Sequence, residues 1–124
     1  MRRPILTAAA MLTFASVLLD GVPAFADYGA IAYDTKTGRH GASWHQATPQ
    51  RAGEVALSEC GATGCKVLIK IGSRRCGALA TTEDGKGWGA AGRDASDKAR
   101  LAALADCQKV KLGECVVRVT DCNK

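Results

Sequence analysis

His40 and His45 are the only side chains in the 124-residue sequence whose ordinary pKa lies near neutrality. With Lys36, Arg39 and Lys70 nearby they supply the inventory of phosphodiester cleavage: one group to take a proton, one to return it, and cations for the phosphate. Their spacing speaks against a shared site. In an extended strand, positions 40 and 45 differ by an odd number and face opposite sides, unless a bulge intervenes. Ser43 and Ser58 have no base beside them in sequence, and an even cysteine count leaves no spare thiol as a nucleophile. Solvated histidines on a polar hairpin are the simpler reading.

Gly87-Trp88-Gly89-Ala90-Ala91-Gly92 spells the G-x-G-x-x-G of a dinucleotide loop ahead of a helix. Its second glycine falls inside an expected hairpin strand, and no parallel βαβ unit of normal length follows. Asp106, at about the right distance to hold a ribose, falls inside a helix. The glycines are better explained by close packing of a strand against a helix or a second sheet, and no cofactor is expected.

Lys66, Lys70, Arg74, Arg75 and Arg118 form a third group, with Trp44 and Trp88 available for stacking. Gathered on one face, these cations would suit an anionic partner such as an envelope glycan, a lipid headgroup or an acidic protein. No arginine-rich tail or nucleic-acid motif accompanies them, so no specific nucleic-acid partner is expected. The leading expectation is a non-catalytic binding module for an anionic envelope component or a protein. The alternative is a small secreted hydrolase using His40 or His45.

The compartment is read from the other end of the chain. Met1-Arg2-Arg3 is a charged start, Ile5 to Leu19 a short apolar run, and Ala24-Phe25-Ala26 an A-x-A cleavage signature. The apolar run falls short of the roughly 20 residues that a spanning helix needs. Residues 1–26 therefore read as a signal peptide, and their removal lowers the formal charge from +5 to +4. That predicts a secreted or periplasmic protein with no membrane span after cleavage, and it excludes a cytoplasmic or multidomain enzyme. All six cysteines lie beyond residue 26. In an exported chain of this size they read as a disulfide framework, because so short a chain buries a limited core. No C-x-x-C pair supports a metal site, and none is expected.

What must position these residues is a duplicated element. Gly29-Ala30-Ile31-Ala32 returns as Gly77-Ala78-Leu79-Ala80, Ala56-Leu57 as Ala103-Leu104, and Glu59-Cys60 as Asp106-Cys107, a period of about 47 residues. Each copy reads strand, strand, helix, strand. The first strands run from Gly29 to Asp34 and from Gly77 to Thr82. Turns at Thr37-Gly38 and Asp84-Gly85 lead into second strands at about Gly41 to His45 and Trp88 to Ala91. Helix one starts at Thr48 as N-cap with Pro49 at N1 and ends at Cys60-Gly61; helix two runs from Ser96 to about Lys109. The third strands start at Cys65 and Cys115. Alternation puts Val67 and Ile69, and likewise Val117 and Val119, on a face toward the Ala-Ala-Leu helix stripes, leaving a cationic outer face. The fold class is thus α+β: one small domain over 27–124 of two pseudo-equivalent ββαβ halves, 27–75 and 76–124, with helices on antiparallel sheet. The repeat also suggests the pairing. Cys60–Cys65 and Cys107–Cys115 would pin each helix end to the next strand, and Cys76–Cys122 would bridge the halves.

Tyr28-Gly29-Ala30-Ile31-Ala32, Cys76-Gly77-Ala78-Leu79-Ala80, Gly87-Trp88-Gly89 and Ala103-Leu104-Ala105-Asp106-Cys107 together resemble a bacterial exported family, the domain of unknown function 4189. The similarity spans essentially the whole region beyond the leader, with Tyr28 standing where members often carry tryptophan. The resemblance implies a small exported module; it brings no established activity and no catalytic residues.

Overall fold

The computed structural model describes residues 27–124, so the expected signal peptide, 1–26, lies outside the described residues. Eight elements follow in the order ββαβ–ββαβ: β1 (Tyr28–Tyr33), β2 (His40–Gln46), α1 (Pro49–Cys60), β3 (Lys66–Ile71), β4 (Cys76–Thr82), β5 (Trp88–Arg93), α2 (Ser96–Lys109) and β6 (Cys115–Cys122). They form two three-stranded antiparallel sheets, ordered β2-β1-β3 and β5-β4-β6. Among the described residues no helix is long and apolar enough to cross a membrane.

Local chemistry sets the helix ends. The Thr48 hydroxyl accepts from the Arg51 N–H at 3.1 Å, Pro49 fills the first turn, and Gly61 at φ +69° returns its N–H to the Leu57 carbonyl. The helix faces are built from small residues. Ala30 and Ala32 of β1 meet Ala52, Ala56 and Cys60 of α1; Ala78 and Ala80 of β4 meet Ala99, Ala103 and Cys107 of α2. In α1 the predicted Ala-Ala-Leu stripe is an alanine and cysteine stripe, with Leu57 left 38% exposed, whereas in α2 Leu104 packs half-buried against its cluster. Helix and sheet approach so closely that a Cβ on Gly41 would overlap the backbone of Ala56 and Cys60, and one on Gly89 that of Ala103 and Cys107.

The central strands bury both faces. Opposite the alanines, Ile31 and Tyr33 of β1 pack with Leu79 of β4 and Ile71 of β3, and Trp44, Ile69 and Val119 complete the cluster. The two sheets thus stack face to face, with a helix outside each: α/β/β/α. The sequence expectation of an outward, cationic sheet face is corrected here, because the side away from each helix is occupied by the other sheet. A second correction concerns the third strands. Both are bulged, between Ile31 and Ala32 in the β1–β3 ladder and between Leu79 and Ala80 in the β4–β6 ladder. Val67 pairs with Ala32 and turns to the helix, whereas Ile69 pairs with Ile31 and turns to the opposing sheet; Val117 and Val119 divide likewise.

The three expected disulfides are present: Cys60–Cys65, Cys107–Cys115 and Cys76–Cys122. The third does not bridge the two halves. Cys76 begins β4 and Cys122 ends β6, direct neighbours in the same sheet, so the bond closes the second unit. Buried Asn123 links the units instead. It accepts from the His45 N–H at 3.0 Å and donates to the carbonyls of Ile71 and Gly72, both at 3.1 Å.

Candidate functional site

At one end of the sandwich the β1–β2 and β4–β5 turns meet. Gly38 and Gly85 both adopt positive φ and touch, and the buried Tyr33 hydroxyl donates to the Gly85 carbonyl. Burial pushes the Tyr33 phenol up from its usual range. Asp34 closes its turn by accepting from the Lys36 N–H and the Thr37 hydroxyl, both at 2.9 Å. Asp84 does the same in the second unit, with the Thr82 hydroxyl at 2.7 Å and the Lys86 N–H at 3.0 Å. The backbone N–H of Lys36 is the largest influence holding Asp34 below the ordinary carboxylate range, and the Thr82 hydroxyl is the largest for Asp84. Between the turns lies a polar cleft of about 230 Å³, lined among others by His40 of β2 and Arg118 of β6. Arg118 is the residue inserted by the bulge, and its Nε donates to the Thr81 hydroxyl at 3.0 Å. Trp88, 36% exposed, contacts Tyr33 with ring centroids 6.4 Å apart.

The acid–base inventory is not assembled. His40 pairs with Tyr33 at one end of β2, and His45 sits at the other, roughly 15 Å away at the usual strand rise. The bulge that accompanies His45, at φ +57°, does not shorten that span enough for a shared substrate. His45 instead lies 3.2 Å from the Asp27 carboxylate. Lys36 and Arg39 belong to the His40 end, whereas Lys70 pairs with Ala30 near the other. The Ser43 hydroxyl is buried and donates to the Ala52 carbonyl at 2.6 Å, so it serves the fold. The glycine run lies on β5, with Gly89 against the α2 backbone where a phosphate loop would need open N–H groups.

The candidate cations are likewise divided. Lys66 lies opposite Tyr33, Lys70 runs over Gly53 on the helix side, and Arg118 occupies the turn end. Trp44 is half-buried between the sheets, against Gly77. Arg74 and Arg75 remain together on the β3–β4 link, and there the structure adds two cations that sequence reading missed. Arg93 ends β5 opposite Cys76, and Lys124 reaches across to donate to the Asp94 carbonyl at 2.7 Å. Arg75 Nη2 and Arg93 Nη1 both donate to the Gly92 carbonyl, at 3.2 and 2.7 Å. The Asp94 carboxylate is held low chiefly by Lys98, 3.5 Å away, with Arg75 contributing. Counting outward from the Asp84-Gly85 turn places Arg93 beside Cys76, and that register was the available signal.

Similarity to known proteins points the same way as the fold. Uncharacterized proteins of Mycobacterium tuberculosis (Rv1813c) and Mycobacterium bovis (Mb1843c) are each 49% identical over 59 residues, 48% of this chain. The chain spans 39% of the length of those curated relatives. The NMR structure of Rv1813c from Mycobacterium tuberculosis superposes over 99% of this chain and 97% of its own, with a TM-score of 0.52 and 27% identity. A family model matches residues 28–122, nearly the whole described region, and the chain belongs to that family, Domain of unknown function (DUF4189).

Proposed function

We propose that this protein is an exported, non-catalytic interaction module that takes an anionic group of an envelope or host partner at the Arg75–Arg93–Lys124 end. The observation that carries the reading is the sharing of the Gly92 carbonyl by two guanidinium groups. Like charges held side by side repel, and an anion that bridges them removes the repulsion while gaining charge-assisted hydrogen bonds. Lys124 adds a third cation; the nearby Asp94 carboxylate is held chiefly by Lys98, with Arg75 contributing, and offsets part of the positive charge. Export is supported by three disulfides in so short a chain, which oxidising compartments favour. The site chemistry is that of phosphate, sulfate or carboxylate groups displayed on a larger partner.

Calorimetric titration with inorganic pyrophosphate as the probe tests this reading. The parent protein binds at low ionic strength, and the Arg75→Ala, Arg93→Ala double variant binds at least about tenfold more weakly. Equal affinity in the double variant would remove the site from the account.

A further inference from the structure

The outer ladders of the two ββαβ units, β1–β3 and β4–β6, share one register, but the units differ in how they protect their outer edge strands. By ladder position Lys66 of β3 corresponds to Val116 of β6, because each faces the last inward residue of its central strand, Tyr33 or Thr81. Lys70 corresponds to Thr120, opposite Ala30 and Ala78. β3 is therefore an edge strand guarded by lysines, the usual device against strand addition. β6 has lost both. In the first unit the Lys70 stem also covers the helix face at Gly53. In the second, Arg100 stands at the position of Gly53, and Leu101 takes the position of Glu54.

The result is a cleft of about 610 Å³ between α2 and the edge strand β6, lined by Leu101, Leu104, Val117 and Thr120. Leu101 is 67% exposed, a large apolar side chain beside the strand edge. The Thr120 hydroxyl is buried in this wall with no hydrogen-bond partner among the described residues. A groove between a helix and a sheet edge is the geometry that accepts an extended peptide as an added strand, with ladder hydrogen bonds for affinity and alternate side chains in the groove.

Charge selects the occupant. Arg100 and Arg118 border the cleft against one carboxylate, Asp97. A second copy of the chain docked through β6 would bring four arginines and two aspartates into one seam. We infer that the α2–β6 cleft binds an extended peptide segment of another protein, apolar at alternate positions and acidic between them, as a fourth strand of the second sheet. This surface is separate from the Arg75–Arg93 end and stands or falls independently of it.

Titration of the isotope-labelled protein with a blocked synthetic peptide alternating valine and glutamate tests the inference by amide NMR. The expected result is a set of shifts confined to β6 and the facing side of α2. The Thr120→Lys, Leu101→Glu double variant weakens that binding about tenfold or more and leaves the other amides in place. The same peptide with lysine for glutamate binds at least about tenfold more weakly than the acidic one. Equal binding by the lysine peptide, shifts elsewhere, or affinity retained in the double variant would overturn the proposal. So would a protein that sediments as a dimer and becomes a monomer on Thr120→Lys, because the cleft would then belong to a second copy.

Discussion

Arg75 and Arg93 converge on one acceptor, the Gly92 carbonyl, from neighbouring strand ends of the second sheet. Both side chains are exposed, so their bonds to that oxygen contribute little to folding. Arg93→Ala should leave unfolding free energy within about 0.5 kcal/mol of the parent, the usual range for surface substitutions. Denaturant titration checks this; a loss of several kcal/mol would make the pair a structural clamp.

Gly41 and Gly89 should respond in the opposite sense. Each lies under a helix backbone, and alanine at either position forces helix and sheet apart. Overpacking of this kind costs about 1–3 kcal/mol. Gly53→Ala is the control, since its nearest neighbours beyond its own helix are side-chain atoms at 3.6 and 4.0 Å. Equal stability of Gly41→Ala and Gly53→Ala would contradict the close-approach account.

The three disulfides should differ in worth. Cys76–Cys122 spans 46 residues of sequence, Cys60–Cys65 only 5. Loop entropy assigns the first about 4 kcal/mol and the second about 2 kcal/mol. Paired Cys→Ala variants compared by denaturant midpoint test the order, and a reversed order would mean that native-state contacts, rather than chain closure, set the effect.

Stability should fall at both ends of the pH scale. Asp34 and Asp84 are held below their ordinary value of 3.8, so their contribution is present above that pH and is lost as pH drops through the lower folded values. Tyr33 is raised above 10.0, so its contribution is present below that pH and fades as pH rises toward the folded value. The acid limb of a pH–stability curve should flatten in the Asp34→Asn, Asp84→Asn variant. An unchanged limb would place the acid-sensitive groups elsewhere.

Much of the architecture was legible because its signals are local. Thr48-Pro49 and Gly61 mark one helix, alanines at helical spacing before Cys60 and Cys107 mark both inner faces, and the duplication suggests which cysteines pair. The bulges were not legible. In Lys66-Val67-Leu68-Ile69-Lys70-Ile71 the three apolar residues between the lysines suit either face, so an inserted residue leaves no mark. That slip put Lys66 and Lys70 on opposite faces of β3, and its counterpart in β6 sent Arg118 to the turn end. The sheet-on-sheet contact had a signal that alternation arguments passed over. Gly29-Ala30-Ile31-Ala32-Tyr33 has no polar member, the mark of a strand buried on both faces. The anion site needed pairing between strands, because Arg75 and Arg93 are 18 positions apart and meet only through the β4–β5 register.

The central claim is that the end bearing Arg75, Gly92, Arg93 and Lys124 recognises an anion. Amide NMR of the protein titrated with inorganic pyrophosphate at low and high salt tests it most directly. The account predicts shifts centred on those four residues, with affinity that falls steeply as salt screens the charges. Shifts centred elsewhere, or binding that ignores salt, would contradict it.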